Sequence, residues 1–97
     1  IEAAQARDIA VLLCGMEALP VNGWNYSVAF HQVYVTLARR YDVPLVPFMM
    51  MRVFGDPALM LPDRVHPNAA GARVMAEHVW PYLDALLRRT GYPRSGT

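Results

Sequence analysis

The chain has 97 residues, of which 55% are hydrophobic and 18% charged. Those shares lie above and below the usual ranges for a globular domain, and suit a piece of a larger core as well as a small self-sufficient domain. Nine basic residues against eight acidic ones, net charge +1, give no pull toward nucleic acid or anionic lipid. The single cysteine, Cys14, excludes an internal disulfide and leaves compartment and localisation open.

Ile1 to Ala10 reads as the tail of a helix leading into a strand. Ile9 to Cys14, Ile-Ala-Val-Leu-Leu-Cys, is an almost unbroken apolar run closed by Gly15. A run apolar on both faces suits an interior parallel strand. Pro20 and the Asn22-Gly23 pair make Gly15 to Trp24 a loop. Asn25 or Ser27 can cap the helix that follows, which reaches about Tyr41. Its apolar positions Ala29, Phe30, Val33, Tyr34, Leu37 and Ala38 recur at intervals of three and four. Val43 to Phe48 is a second apolar strand, with Pro44 and Pro47 restricting its backbone bonding.

Strand, helix and strand make a βαβ unit, and a fold of the α/β class with a parallel sheet. Two strands do not make a stable sheet in water, so further strands are expected from another segment. Association of the chain with copies of itself is a second way to cover the open sheet edge.

Met49 to Pro62 is an irregular connection, with a short helical turn expected near Pro57 to Met60. The last helix starts at Asn68 or Ala69 and runs to about Thr90. Val74, Met75, Val79, Tyr82, Leu83, Leu86 and Leu87 form its inner side. Pro81 predicts a kink or break near Val79-Trp80, and Gly91 a stop. Residues 91–97 read as a flexible tail.

The chemistry-bearing segment is Leu61-Pro62-Asp63-Arg64-Val65-His66-Pro67-Asn68. Asp63 and His66 stand three residues apart, beyond the carboxyl end of the second strand, where open α/β sheets bind ligands. Pro67 drives His66 toward an extended conformation and presents it from a stiff turn. His66 can then act as a general base, with Asp63 holding the ring. Asp63 alternatively serves only to cap the turn. No third His, Cys or carboxylate lies close in sequence, so no metal site is expected. Cys14 reads as an inert thiol, His31 as a half-buried structural residue, and His78 as a surface one. Met49, Met50 and Met51 either line an adaptable pocket or pack in the core. Trp24 and Tyr26 leave the first loop toward the same sheet edge.

The block Leu61 to Gly71 resembles the Asp-x-x-His-Pro block of the SGNH (GDSL-type) hydrolases. Leu19-Pro20-Val21-Asn22-Gly23 with Tyr26 and Phe30 resembles the loop-to-helix segment of the bacterial arylesterase, thioesterase and lysophospholipase subgroup. Leu37 to Phe48, Gly55 to Leu59 and Val79-Trp80-Pro81 are similar to its later blocks, in the same order. The resemblance covers nearly all of the chain except its last ten residues.

It implies that residues 1–90 are the C-terminal half of a three-layer α/β/α, flavodoxin-like SGNH domain. It also implies that Asp63 and His66 are catalytic, and that the complete protein cleaves small carboxylic esters or thioesters by Ser-His-Asp acyl transfer without a cofactor. The nucleophilic serine, the glycine and the asparagine of the oxyanion hole are then supplied by the N-terminal half. Ser27 and Ser95 do not match the nucleophile position, so this chain alone is expected to be inactive. Trp24, Tyr26, Met49, Met50, Arg64 and Val65 are the candidate substrate-pocket residues. Two departures stand out. Arg64 occupies a position where the family often has glycine, and arginine resists a left-handed backbone; the loop around Asn22 is one residue short. A relative that kept the fold and lost the chemistry, serving as a binding domain, is the competing expectation.

Overall fold

A computed structural model describes residues 1–18, 21 and 23–91. The elements are α1 (Glu2–Gln5), β1 (Leu13–Cys14), α2 (Trp24–Arg40), β2 (Leu45–Val46) and α3 (Ala69–Arg89). The two strands pair in parallel, Leu13 opposite Leu45 and Cys14 opposite Val46, with α2 between them in sequence. Both α2 and α3 pack against β2, which gives the expected alternation of helix and parallel sheet.

The strands are shorter than the apolar runs Ile9–Cys14 and Val43–Phe48 predict. Pro44 and Pro47 have no amide hydrogen to give the ladder, so the second run is limited to the two residues between them. Pro44 still contributes its carbonyl, which accepts from the Leu13 amide at 3.0 Å. At the other end, Gly15 donates to Val46 at 2.7 Å and accepts from Met49 at 3.1 Å. A side chain on Gly15 would place its Cβ 2.3 Å from the Pro47 carbonyl oxygen, so this crossing of backbones demands glycine.

The core is small: among the described residues Val43, Val46, Met50, Val53 and Met60 are the buried hydrophobic ones. Met50, Val53 and Met60 form its centre, with Met16, Phe48, Met49, Leu59, Val74 and Met75 packed around them. Flexible, polarisable thioethers therefore fill most of the space beneath the loop that follows β2. Large apolar side chains stay outside, among them Ile9, Trp24, Val28, Val33 and Trp80. The radius of gyration is 15.5 Å, against roughly 12.5 Å for a compact chain of this length.

Helix α2 begins one residue after Gly23, which is its N-cap with φ 88°, and no side chain caps it. Neither Asn25 nor Ser27 takes that role, because both already lie inside the helix. Its inner face carries Phe30, Tyr34, Leu37 and Ala38 as expected, while Ala29 and Val33 face outward. Helix α3 is capped by Asn68, whose side chain accepts from the Gly71 amide. All seven residues predicted for its inner side are half-buried. It continues through Pro81 without a break, since contacts on both sides of the proline outweigh one missing hydrogen bond. It ends at Thr90, followed by Gly91 at φ 73°. Pro57 to Leu59 forms the expected turn, closed by the Leu59 amide donating to the Asp56 carbonyl at 3.0 Å and by the Ala58 amide donating to the Asp56 side chain at 2.9 Å, while Met60 already belongs to a bridge. Among the described residues no helix is long and apolar enough to cross a membrane. The tail residues 92–97, and Leu19, Pro20 and Asn22 of the first loop, lie outside the described residues.

Candidate active site

Asp63 and His66 sit on a six-residue loop that is closed at its base. Met60 and Pro67 form an antiparallel bridge, and the Leu61 amide donates to the His66 carbonyl at 2.8 Å. Asn68 then fastens three segments together. Its amide donates to Leu59 at 2.9 Å, its side-chain nitrogen donates to Ala58 at 2.9 Å, and its side-chain oxygen caps α3. Gly71 lets the helix approach: a Cβ there would lie 2.1 Å from the Leu59 carbonyl oxygen. The loop is thus mounted on the first turn of a 21-residue helix, and its position follows that of α3.

Within the loop, the Asp63 carboxylate has two tasks. One oxygen accepts from the Val65 and His66 amides at 2.9 and 3.0 Å. The other lies 2.6 Å from His66 Nδ1. The cap and the imidazole partner, alternatives at the level of sequence, are therefore the same group. Hydrogen bonding from the His66 ring, then from the two amides, lowers the Asp63 carboxyl to about 2. An ionised carboxylate only accepts, so His66 Nδ1 carries the proton. In the neutral ring this leaves Nε2 with a free lone pair. The side chains of His66 and Asp63 are 71% and 46% exposed, so a partner can reach the pair from outside.

Arg64 corrects one expectation: despite its side chain it adopts φ 61°, in the left-handed region. Its amide donates to the Leu61 carbonyl at 2.9 Å, and the Val65 and His66 amides, donating to the Asp63 carboxylate across it, hold the turn in place. A left-handed backbone costs a non-glycine residue roughly 1–2 kcal/mol, and the closed loop absorbs it.

Beside the loop lies a cavity of about 720 Å³, lined among others by Phe54, Asp56, Met60, Leu61, Pro62 and Arg64. Of the candidate pocket residues only Arg64 borders it. Val65 is exposed next to His66, and Trp24 and Tyr26 stand exposed on the first turns of α2. Met50 is buried in the core and Met49 packs against it. Phe54, Met60 and Leu61 were not anticipated; the turn signals at Gly55, Asp56 and Pro57 directly before the Asp63 block were the available cue.

The remaining titratable groups are arranged as follows. His31 is half-buried as expected, with Nδ1 2.6 Å from Glu17. His78 departs from its surface reading. It lies on the inner side of α3 with Nε2 buried and without a hydrogen-bond partner, its ring 6.3 Å from that of Tyr82. Burial raises the Cys14 thiol, which disfavours a reactive thiolate. Among the described residues no group of three His, Cys, Asp or Glu could hold a metal ion.

No family model matches the chain. Thioesterase 1/protease 1/lysophospholipase L1 of Escherichia coli K12 is 34% identical to it over 88 residues, 90% of this chain and 40% of that protein. The arylesterase of Vibrio mimicus is 32% identical over 69 residues, 71% of this chain and 34% of its own length. The crystal structure of TesA superposes with a TM-score of 0.83 at 37% identity, covering 89% of this chain and 48% of that one. The esterase AlinE4, of the SGNH-hydrolase family, gives 0.61 at 37% identity over 89% of this chain and 46% of its own. This chain thus spans less than half the length of each of these relatives. A parallel α/β unit followed by the anchored Asp-x-x-His-Pro loop, with these likenesses along almost its whole length, makes the chain a member of the SGNH hydrolase family.

Proposed function

We propose that this chain supplies the proton-handling half of a serine hydrolase that cleaves carboxylic esters or thioesters. The observation that carries the reading is the orientation of His66, with Nδ1 held by an ionised Asp63 and Nε2 left free at the surface. Residues 1–90 act as the C-terminal half of the domain. The other half contributes the nucleophilic serine, the oxyanion-hole glycine and asparagine, and the strands that extend the sheet beyond β1.

In the assembled protein, His66 Nε2 takes the serine proton as the serine oxygen attacks the substrate carbonyl. Asp63 stabilises the imidazolium that forms. Nε2 returns the proton to the leaving oxygen or sulfur, an acyl-serine remains, and the ring then activates water to release the acid. Removing a single oxyanion donor costs about 3 kcal/mol of transition-state stabilisation. Without the serine and both side donors, this chain alone is inactive.

The test is hydrolysis of a short aryl ester by the assembled protein carrying His66→Ala. A fall in kcat of about 10⁴-fold or more is expected. A fall of less than tenfold removes His66 from the reaction.

A further inference from the structure

We propose that Arg64 is a specificity residue, which selects leaving groups that carry an anion on an apolar segment. The inference rests on the hydrolase reading above and concerns the cavity beside the Asp63–His66 loop. Three observations converge on it. Arg64 is held at φ 61°, where glycine would be unstrained, and strain of this kind in a non-glycine residue points toward function. Its guanidinium has no ion-pair partner among the described residues. It borders a cavity of about 720 Å³ whose other walls include Phe54, Met60, Leu61 and Pro62.

The chemistry of the occupant follows from those walls. Phe54, Leu61 and Met60 offer apolar surface to an aryl or alkyl segment, and Met60, joined to Pro67 by the bridge at the loop's base, can adjust its shape. Arg64 offers a planar, permanently charged donor set suited to a carboxylate or phosphate. Asp56, the other charge at the cavity, makes no ion pair with Arg64 and uses one carboxylate oxygen on the Ala58 amide. Its negative charge repels an anion and so orients the ligand, with the anionic end toward the loop. Arg64 and His66 belong to the same loop, closed by the Met60–Pro67 bridge, and in the proposal the leaving group, not the acyl chain, sits in this cavity.

Two measurements on the assembled protein test this. The first compares butyrate esters of 3-(4-hydroxyphenyl)propionate and of its neutral amide, whose phenols leave equally well. The ratio of their kcat/KM values is expected to fall about tenfold in Arg64→Gln and to recover in large part in Arg64→Lys. A ratio that moves by less than twofold overturns the proposal. The second measures binding of free 3-(4-hydroxyphenyl)propionate by calorimetry, which needs no turnover. Binding about five- to tenfold weaker in Arg64→Gln, and largely restored in Arg64→Lys, supports the site. Equal affinity in Arg64→Gln and the parent overturns it. If neither ester is cleaved the hydrolase reading fails, and the calorimetric comparison still decides whether Arg64 holds the anion.

Discussion

The Asp63 carboxylate holds His66 twice, by the ring through one oxygen and by the backbone amide through the other. Ring orientation and loop conformation therefore depend on one ionised group. Its folded-state value, about 2, lies below the ordinary 3.8. A depressed carboxyl stabilises the fold above its unfolded value and loses that contribution as pH falls through the folded one. The loop should stay ordered down to about pH 3 and open only below that. Carboxyl-carbon NMR is expected to show Asp63 titrating near 2, with the Val65 and His66 amide resonances moving in step. A midpoint near 4 would contradict the hydrogen-bond pattern.

Replacing the carboxylate by an amide separates its two tasks. In Asp63→Asn the side-chain oxygen can still accept from the Val65 and His66 amides, so the loop should persist. The amide nitrogen facing Nδ1 is a donor, which favours the imidazole tautomer with its proton on Nε2. The assembled protein should lose about 10⁴-fold in kcat, by analogy with the Asp→Asn change in a serine protease triad, with its unfolding midpoint nearly unchanged. Retained activity would show that the ring is oriented by something other than Asp63.

Arg64→Gly removes the left-handed penalty and, in the same step, the cavity's cation. Relief of strain, less the extra freedom of glycine in the unfolded chain, should stabilise the protein by about 0.5–1 kcal/mol. Chemical denaturation reads this as a higher midpoint with an unchanged slope. A lower midpoint would mean that the arginine side chain contributes packing that outweighs its backbone cost.

Gly71→Ala tests how the loop is mounted. The added methyl would lie 2.1 Å from the Leu59 carbonyl oxygen, a backbone atom that cannot turn aside. The start of α3 must then retreat from the 59–61 segment, at a cost of about 1–3 kcal/mol. Since Asn68 ties both to the loop, kcat should fall more than tenfold while KM changes less. Activity like the parent's would show that the loop is positioned independently of α3.

The α/β order, the inner face of α3 and the Asn68 start of that helix were all legible in the sequence, because apolar spacing and capping chemistry are local signals. The Asp63–His66 turn was legible too, since Pro67 and the three-residue spacing leave few conformations open. The strand lengths were not: hydrophobicity marks Ile9–Cys14 and Val43–Phe48, whereas the ladder depends on amides that Pro44 and Pro47 lack. The left-handed Arg64 ran against intrinsic preference, and tertiary hydrogen bonds decided it. The walls of the cavity come from residues 54–64 folding back on themselves, which no periodic pattern announces. His78 looked like a surface residue because Glu77 adjoins it, yet the helical phase turns the two apart.

The central claim is that His66 of this chain activates a serine carried by another segment. The most direct measurement is the rate at which a fluorophosphonate labels the complementary half when the two halves are mixed. Rapid, stoichiometric labelling with the parent chain, and labelling slowed at least a hundredfold with His66→Ala, is the predicted result. Equal labelling rates with and without the imidazole, or ester hydrolysis by this chain alone, would contradict it.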